Sequence, residues 1–306
     1  MKQTSGAVNA QAKRTRTRFA SLLTLALALA VTLSACGDKS PANSPSGSPD
    51  ASPSAQPSET SSSAAGNFSD DMKIPYGRDL SEDGADSVER SGDHLNSPYF
   101  SRVDFFNAKS TDSLTILEGF KTQQQTSEWS CGVSAALMVL NWHGKLGEYD
   151  EVSLSEFRGQ RQGRDGNPTG GAEPGATNLQ QMIDIFEGVG GFSVYSTFDC
   201  KDSVSDIFTL TYIRETLKAG NPILIGWNDW GGHWQAIIGY DTMGTEYEAD
   251  DVIIVADPYD TTDHNQDGYG VYGAERFIYN FTFYNFFPED ELNDMCFLVP
   301  TSGSSN

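Results

Sequence analysis

Residues 131–142 of this chain read Cys-Gly-Val-Ser-Ala-Ala-Leu-Met-Val-Leu-Asn-Trp, and Gly144 follows two positions later. The stretch is apolar on nearly every side, which is typical of a helix buried at the centre of a domain. A glycine soon after the last apolar residue is a common stop signal for a helix. We therefore predict a buried central helix over residues 131–142, with Cys131 at its N-terminus.

Helical patterns come first and strand patterns later in the surrounding sequence. Residues 178–187 repeat apolar side chains at helical spacing behind Thr177, the expected N-cap, and residues 210–217 predict another helix that ends at Gly220. An order of helices followed by strands is typical of the α+β class. Runs rich in Leu, Ile, Val and Trp predict four strands, at 114–117, 223–227, 233–240 and 252–256.

Cys131 is the first candidate for chemistry. A helix N-terminus favours the thiolate, which is the nucleophilic form of cysteine, and Gly132 is expected to allow close approach of a substrate backbone. Gln125, six residues earlier, is placed to donate its side-chain amide to an oxyanion. A cysteine alone is more often a small core residue, so the catalytic interpretation depends on partners elsewhere in the chain.

Those partners come from two predicted strands. His233 opens one strand and Asp257 closes the next. An antiparallel hairpin pairs Tyr240 near Asp251 and brings His233 opposite residues 257–258, within two positions. A carboxylate behind an imidazole fixes its tautomer and stabilises the imidazolium, as thiolate–imidazolium catalysis requires. A histidine at a strand end and an Asp-Pro turn are the structural alternatives, and the cysteine and glutamine above favour catalysis over them.

The combination resembles the papain-like cysteine peptidases, and most of all their double-glycine (bacteriocin-processing) peptidase-like branch. The resemblance covers residues 115–300 and implies a papain-like fold with Cys131 as nucleophile, His233 as base, Asp257 as orienting group and Gln125 as oxyanion donor. Transporter-borne members of that branch cut leader peptides on the cytoplasmic side. We do not expect this chain to share that substrate. The motifs are Gln125-(five residues)-Cys131-Gly132, Gly231-Gly232-His233-Trp234 and Ala256-Asp257-Pro258-Tyr259.

The N-terminus has the pattern of an exported lipoprotein. A basic patch ending at Arg18 precedes an apolar run over 19–33, which is shorter than the roughly 18–20 residues of a spanning helix. The run ends in Leu33-Ser34-Ala35-Cys36-Gly37, which resembles the bacterial lipobox. We predict that Cys36 is lipidated and anchors the chain to the cell membrane, facing outside the cytoplasm. The alternative is an ordinary signal peptide with an incidental cysteine.

Composition divides the chain into five parts. The second part is so rich in Ser, Pro, Ala and Gly that we expect a disordered tether. The third part is acidic and weakly patterned, and its order is left open. The five parts are a lipoprotein signal peptide over 1–35, the tether over 36–66, the acidic lead-in over 67–110, the peptidase domain over 111–300 and a tail over 301–306.

Charge and motifs together select the function class. With 20 basic against 42 acidic residues the net charge is −22, which excludes a nucleic-acid binder that works by phosphate neutralisation. We expect a membrane-anchored cysteine peptidase that acts on peptide or protein substrates. Two alternatives stay open: a peptide-binding module with an inactive papain-like cleft, and an acyl or amide transferase that uses the same triad.

One acidic loop raises the question of a metal. Asp263, Asn265 and Asp267 alternate before Gly268, as in the first half of an EF-hand calcium loop. The twelfth position holds Ala274 in place of the bidentate glutamate, which excludes a complete EF-hand. An acidic turn is favoured over a looser calcium cage, and no other cofactor is expected.

Two cysteines remain after lipidation and catalysis have been assigned. Cys200 and Cys296 would lie in a compartment where disulfides form. The favoured expectation is nevertheless a pair of buried, unbridged thiols, because cysteine packs well in protein cores.

Overall fold

A computed structural model describes residues 70–75, 96–162, 168–171, 175–200, 203–229, 231–260, 263–281 and 295–303. The predicted signal peptide, Cys36, the whole tether and about half of the lead-in lie outside the described residues. Within the described part of the chain, no helix is long and apolar enough to cross a membrane.

Seven α-helices occur in the described residues, and the longest begins at Cys131 as predicted. Residues 131–140 of this helix are buried, because its apolar side chains face neighbours all round. The helices are α1 (Cys131–Trp142), α2 (Glu151–Ser155), α3 (Leu179–Val189), α4 (Thr197–Cys200), α5 (Val204–Ile207), α6 (Leu210–Lys218) and α7 (Ala274–Asn280).

The predicted N-cap of α3 is wrong by one residue. Asn178, not Thr177, is the cap: its side chain accepts from the backbone N–H of Gln181, and the Gln181 side chain accepts from the backbone N–H of Asn178. This reciprocal pair satisfies two donors at the start of the helix. Because Thr177 does not cap α3, its side chain is available for contacts near Cys131.

The strands build one seven-stranded antiparallel sheet and a separate two-stranded ribbon. The main sheet has the order β4-β9-β5-β6-β7-β8, and β1 pairs with the end of β6 that β5 does not reach. The ribbon pairs β2 with β3. The strands are β1 (Leu114–Ile116), β2 (Arg161–Gln162), β3 (Pro168–Thr169), β4 (Phe192–Ser196), β5 (Ile223–Trp227), β6 (His233–Asp241), β7 (Val252–Ala256), β8 (Tyr269–Gly273) and β9 (Cys296–Ser302). Helices and an antiparallel sheet in separate runs make this an α+β fold, as expected.

The register of β6 and β7 differs slightly from the predicted hairpin. Tyr240 pairs with Ile253, not Asp251, and a register shift follows between Ile237 and Gly239. The predicted partner of His233 allowed an error of two positions. The observed pairing stays within that error, because the register shift moves the partner of His233 back by one residue. His233 therefore still lies beside the turn that follows β7.

The core forms where α1 packs against β6. The acidic lead-in also contributes to this core, since its residues Met72 and Ile74 are buried there. The backbone N–H of Ile74 donates to Thr122 O at 2.9 Å, and the N–H of Thr122 donates to Met72 O at 3.0 Å. This pairing fixes the chain just before Gln125, so the lead-in helps to position the candidate site.

Candidate active site

Cys131 is the first residue of α1 and is 7% exposed. The residue at the N-cap, Ser130, makes no side-chain capping bond. The first N–H groups of a helix have no intrahelical partner and carry partial positive charge. The thiol is therefore held at the positive end of a buried helix.

His233 and Asp257 meet at one end of the sheet. His233 is the first residue of β6 and Asp257 directly follows β7, so the pairing of these strands brings the two side chains together. His233 Nε2 lies 2.6 Å from Asp257 Oδ1. This bond leaves Nδ1 as the ring nitrogen available to Cys131, whose side chain is among the groups that raise the pKa of His233. The three residues singled out from the sequence thus converge on one site.

The electrostatics of the histidine and aspartate favour an ion pair. Burial by itself lowers the pKa of His233, but the Asp257 carboxylate and the Cys131 side chain raise it above its ordinary value of 6.5. Burial by itself raises the pKa of Asp257, but the charge and hydrogen bond of His233 hold it below 3.8. Each partner stabilises the charged form of the other.

Gln235 fixes the orientation of the Asp257 carboxylate. Its Nε2 donates to Asp257 Oδ2 at 2.9 Å, while the backbone N–H of Tyr259 donates to Oδ1 at 2.7 Å. A flip of the Gln235 amide would break a hydrogen bond, because Trp227 Nε1 donates to Gln235 Oε1 at 2.8 Å. Sequence reasoning missed Gln235. Its signal was the spacing of two from His233, which puts both side chains on one face of a strand.

A second carboxylate lies beside this network. Tyr272 donates its hydroxyl to Asp229 Oδ2 at 2.9 Å, and Gln235 Nε2 donates to Tyr272 Oη at 2.9 Å. Burial is the main reason that the pKa of Tyr272 lies well above 10, so the phenol stays protonated and can donate. Asp229 therefore helps to orient Tyr272 and Gln235, and Gln235 in turn orients the Asp257 carboxylate.

Gln125 lies next to the aspartate turn and holds its own loop together. Its backbone N–H donates to Pro258 O at 2.7 Å. Its Nε2 donates to Ser127 O at 2.8 Å and to Glu128 O at 3.2 Å, while Oε1 is buried without a hydrogen-bond partner. The amide protons thus bind the loop that leads into α1.

The two other glutamines of this segment point elsewhere. Gln123 Nε2 donates to Ile74 O at 3.4 Å, and Gln124 Nε2 donates to Asp260 O at 3.4 Å. Their contacts are with the lead-in and with the loop after the aspartate turn.

Glu151, at the start of α2, is a buried acid that joins the glutamine loop to α1. Its carboxylate accepts from the backbone N–H of Thr126 at 3.0 Å and from the hydroxyls of Thr126 and Ser134. Burial raises the pKa of Glu151, and these hydrogen bonds act in the opposite direction. The contact ties the residue after Gln125 to the first turn of the helix that carries Cys131.

Gly132 makes room for neighbouring side chains, and the close approach of a substrate backbone to it stays a prediction. A Cβ at this position would lie 2.8 Å from Thr177 Cβ and 3.1 Å from Trp234 Cδ1. Trp234 Nε1 also donates to Thr177 O at 2.6 Å. The start of α1 is therefore packed tightly against Thr177 and Trp234.

The candidate calcium loop satisfies part of its own oxygen set. Asp263 Oδ1 accepts from the backbone N–H of Asn265 at 2.9 Å, and Asp267 Oδ1 accepts from that of Tyr269 at 3.0 Å. In the described part of the chain, no three His, Cys, Asp or Glu side chains form a group that could hold a metal ion. Calcium binding stays a prediction for this loop.

The two remaining cysteines are not bridged. Cys200 and Cys296 are both buried free thiols, as the favoured expectation had it. Cys200 Sγ donates to Ser196 O at 3.7 Å. Burial raises the pKa of Cys296 well above its ordinary value, so this thiol stays protonated and is unreactive.

Comparison with known proteins gives one family. The model described as "Peptidase_C39 like family" matches residues 117–282, which is more than half of the chain. Gln125, Cys131, His233 and Asp257 all fall inside the match. No curated protein matches the sequence.

Proposed function

Because the chain belongs to the Peptidase_C39-like family, we propose that it is a cysteine peptidase that hydrolyses peptide bonds. Cys131 is the nucleophile, His233 the general acid and base, and Asp257 the group that orients the imidazole. The observation that carries the proposal is the buried His233–Asp257 pair, with Nε2 2.6 Å from Oδ1, beside the Cys131 side chain at the start of α1. A helix that carries the nucleophile and packs on an antiparallel sheet supports a papain-like fold.

The first step forms an acyl-enzyme. The Cys131 thiolate attacks the carbonyl carbon of the substrate, so a sulfur–carbon bond forms and the carbonyl electrons move to oxygen. When the carbonyl reforms, the carbon–nitrogen bond breaks and the protonated His233 gives its proton to the leaving amine. The raised pKa of His233 supports this step, because the imidazole holds a proton at neutral pH.

The second step releases the acyl group. His233 takes a proton from water, the resulting hydroxide attacks the thioester carbon, and the sulfur leaves as thiolate. The Asp257 carboxylate stabilises the imidazolium that forms again. The acyl group leaves as a carboxylic acid, which releases its proton to the solvent, and the thiolate–imidazolium pair is regenerated, so the cycle needs water as its only co-substrate.

Two groups are proposed as oxyanion donors. One is the backbone N–H at the start of α1, which the Ser130 side chain does not cap. The other is the Gln125 amide, which reaches an oxyanion only by exchanging one of its bonds to Ser127 O and Glu128 O. Exchange of one neutral acceptor for a charged one is favourable, because hydrogen bonds to ionised groups are stronger.

We also propose that the enzyme is tethered to the membrane by lipid on Cys36 and acts outside the cytoplasm. The Leu-Ser-Ala-Cys order at the exit of the apolar run supports this location. Intact-mass spectrometry of the native protein tests it, with release of a Cys36→Ser variant from the membrane fraction as the expected companion result. An unmodified Cys36 in the native protein would overturn the location and leave the peptidase proposal intact.

Reactivity and turnover together test the peptidase. An iodoacetamide probe should label Cys131 selectively, and a peptide library should yield cleaved products that the Cys131→Ala variant does not form. Cys200→Ala is the matched control, since it removes another buried thiol of the same domain. Labelling without cleavage would support the binding module, and amine transfer in the products would support the transferase. Cleavage by Cys131→Ala would overturn the mechanism.

A further inference from the structure

Arg158 is a buried cation, which is unusual in a protein core. It follows α2, and only 2% of its surface is exposed. Its Nε and Nη2 donate to Gly171 O at 3.1 and 2.7 Å, and its Nη1 donates to Gly175 O at 2.7 Å. Carbonyl oxygens satisfy the protons of a guanidinium without removing its charge. The side chain is thus fixed in place and charged.

Two contacts place this charge beside the start of α1. The guanidinium carbon lies 4.8 Å from the centre of the Trp129 ring, two residues before Cys131. On the other side, Nη1 lies 3.3 Å from Thr177 Oγ1, and Thr177 packs directly against Gly132. Arg158 therefore contacts Trp129, which precedes the N-cap of α1, and Thr177, which packs against the residue after the nucleophile.

We propose that Arg158 is a positioning residue whose buried positive charge stabilises the thiolate of Cys131. This inference rests on the proposed function. Substrate does not reach the guanidinium, so its effect passes through the field and through the packing of Trp129 and Thr177. A charge fixed in a poorly solvated site acts over several ångströms, because little water screens it.

The titration behaviour of Arg158 agrees with this position. Burial lowers the pKa of Arg158 to about 10, and the negative charge of Cys131 acts in the opposite direction. A group with that pKa stays charged throughout the neutral range.

Other charged groups face the same thiol and have to be kept constant. His233 from β6, backed by Asp257, makes the ion pair with the cysteine. Glu151 from α2 bonds Ser134 in the first turn of α1. The first experiment therefore changes only Arg158.

The experiment measures the alkylation rate of Cys131 by iodoacetamide from pH 5 to pH 10. Arg158→Gln and Arg158→Met remove the charge, and Arg158→Lys keeps it. We expect the midpoint of the rate profile to rise by about one pH unit in the two neutral variants, a loss of about tenfold at pH 6, and to stay near the wild type in Arg158→Lys.

Arg214→Met is the matched control for loss of one arginine. Arg214 lies on α6 next to Tyr240, which is seven residues along β6 from His233, or roughly 23 Å. Its alkylation profile should equal that of the wild type. Equal profiles for wild type and both neutral variants would overturn the proposal, as would an equal shift in Arg158→Lys and Arg158→Gln.

A measurement without any change at Arg158 covers the case in which the neutral variants do not fold. In the double variant His233→Ala, Asp257→Asn, the imidazolium and its counter-ion are both gone, and the charge of Arg158 should still make anionic iodoacetate react faster, relative to iodoacetamide, than it does with a free cysteine peptide. A ratio equal to that of the peptide would overturn the proposal. Failure of the peptidase proposal looks different: wild-type Cys131 itself would then react no faster at pH 6 than the peptide.

Discussion

Gln235 donates to the carboxylate oxygen of Asp257 that His233 leaves free. One strand, β6, therefore supplies both side-chain partners of this carboxylate, from positions two residues apart. Trp227 on the adjacent strand holds the amide in the donating orientation. The aspartate is fixed through both of its oxygens, which restricts the imidazole to one direction.

Loss of this amide should slow the chemistry and spare substrate binding. We expect Gln235→Leu to lower kcat about tenfold with little change in KM, because one hydrogen bond to a charged group is lost. The acid limb of the pH–rate profile should also move to higher pH, since this bond lowers the pKa of Asp257. Gln180→Leu, on α3 and bonded only locally to Asp184, is the control. An unchanged pH profile would contradict the positioning role.

The tight packing at Gly132 predicts a stability effect. Gly132→Ala puts a methyl group 2.8 Å from Thr177 Cβ, and we expect a loss of about 1–3 kcal/mol in the free energy of unfolding. Thr177→Gly in the same chain should recover part of that loss, because it removes the atom in the way. Gly273→Ala is the control, since its methyl group meets no atom within 4 Å. Urea denaturation measures the wild type, Gly132→Ala, Thr177→Gly, the double variant and Gly273→Ala, and additive losses at the two sites would contradict the clash.

The ion pair at the site predicts a pH window for stability. The pKa of His233 is raised in the folded chain, so its contribution is complete below 6.5 and is lost as pH rises through the folded value. The pKa of Asp257 is lowered, so its contribution is present above 3.8 and is lost as pH falls through the folded value. Together these signs predict the greatest contribution between about pH 4 and pH 6.5.

Asp257→Asn tests that window by thermal unfolding across pH. The Tm difference from wild type should be largest near pH 5 and shrink towards pH 9, with a loss of about 2–4 kcal/mol at its maximum. Asp206→Asn, on the exposed face of α5, is the control and should show no such window. A difference of the same size at pH 5 and pH 9 would contradict the ion pair.

Gln125→Ala tests the oxyanion donor. We expect a loss of roughly 10²–10³ in kcat, as for removal of one oxyanion donor elsewhere. Gln125 also binds the loop before α1, so the melting temperature is measured in parallel. Gln123→Ala, an equally buried glutamine that bonds the lead-in, is the control. Loss of kcat by less than threefold in a folded Gln125→Ala would remove Gln125 from the mechanism.

Local patterns were enough to predict the elements that carry the site. The nearly all-apolar run from Cys131 specified α1 because its length and its stop signal agree, and the strand pair with its turn specified the meeting of His233 and Asp257. The cap of α3 was missed because Thr177 and Asn178 are both good caps, and only the return bond of Gln181 decides between them.

The supporting residues were beyond sequence reasoning for a physical reason. Arg158 and Glu151 are charged side chains, which are normally exposed, and no local pattern marks one as buried. Their burial depends on partners far along the chain, such as Gly175 for the arginine and Thr126 for the glutamate. Long-range contacts of this kind exist only once the fold has formed.

The place of β9 in the sheet predicts when the proposed peptidase could become active. This strand is the last one described, yet it lies between β4 and β5, and β5 in turn flanks the strand that carries His233. During synthesis, a nascent chain that ends before residue 296 has both of those strands unpaired on that side, so the site cannot be held in its final geometry. We expect a ribosome-bound or partly translocated chain to be inert, and the reactive thiol to be assembled only after the whole domain has emerged.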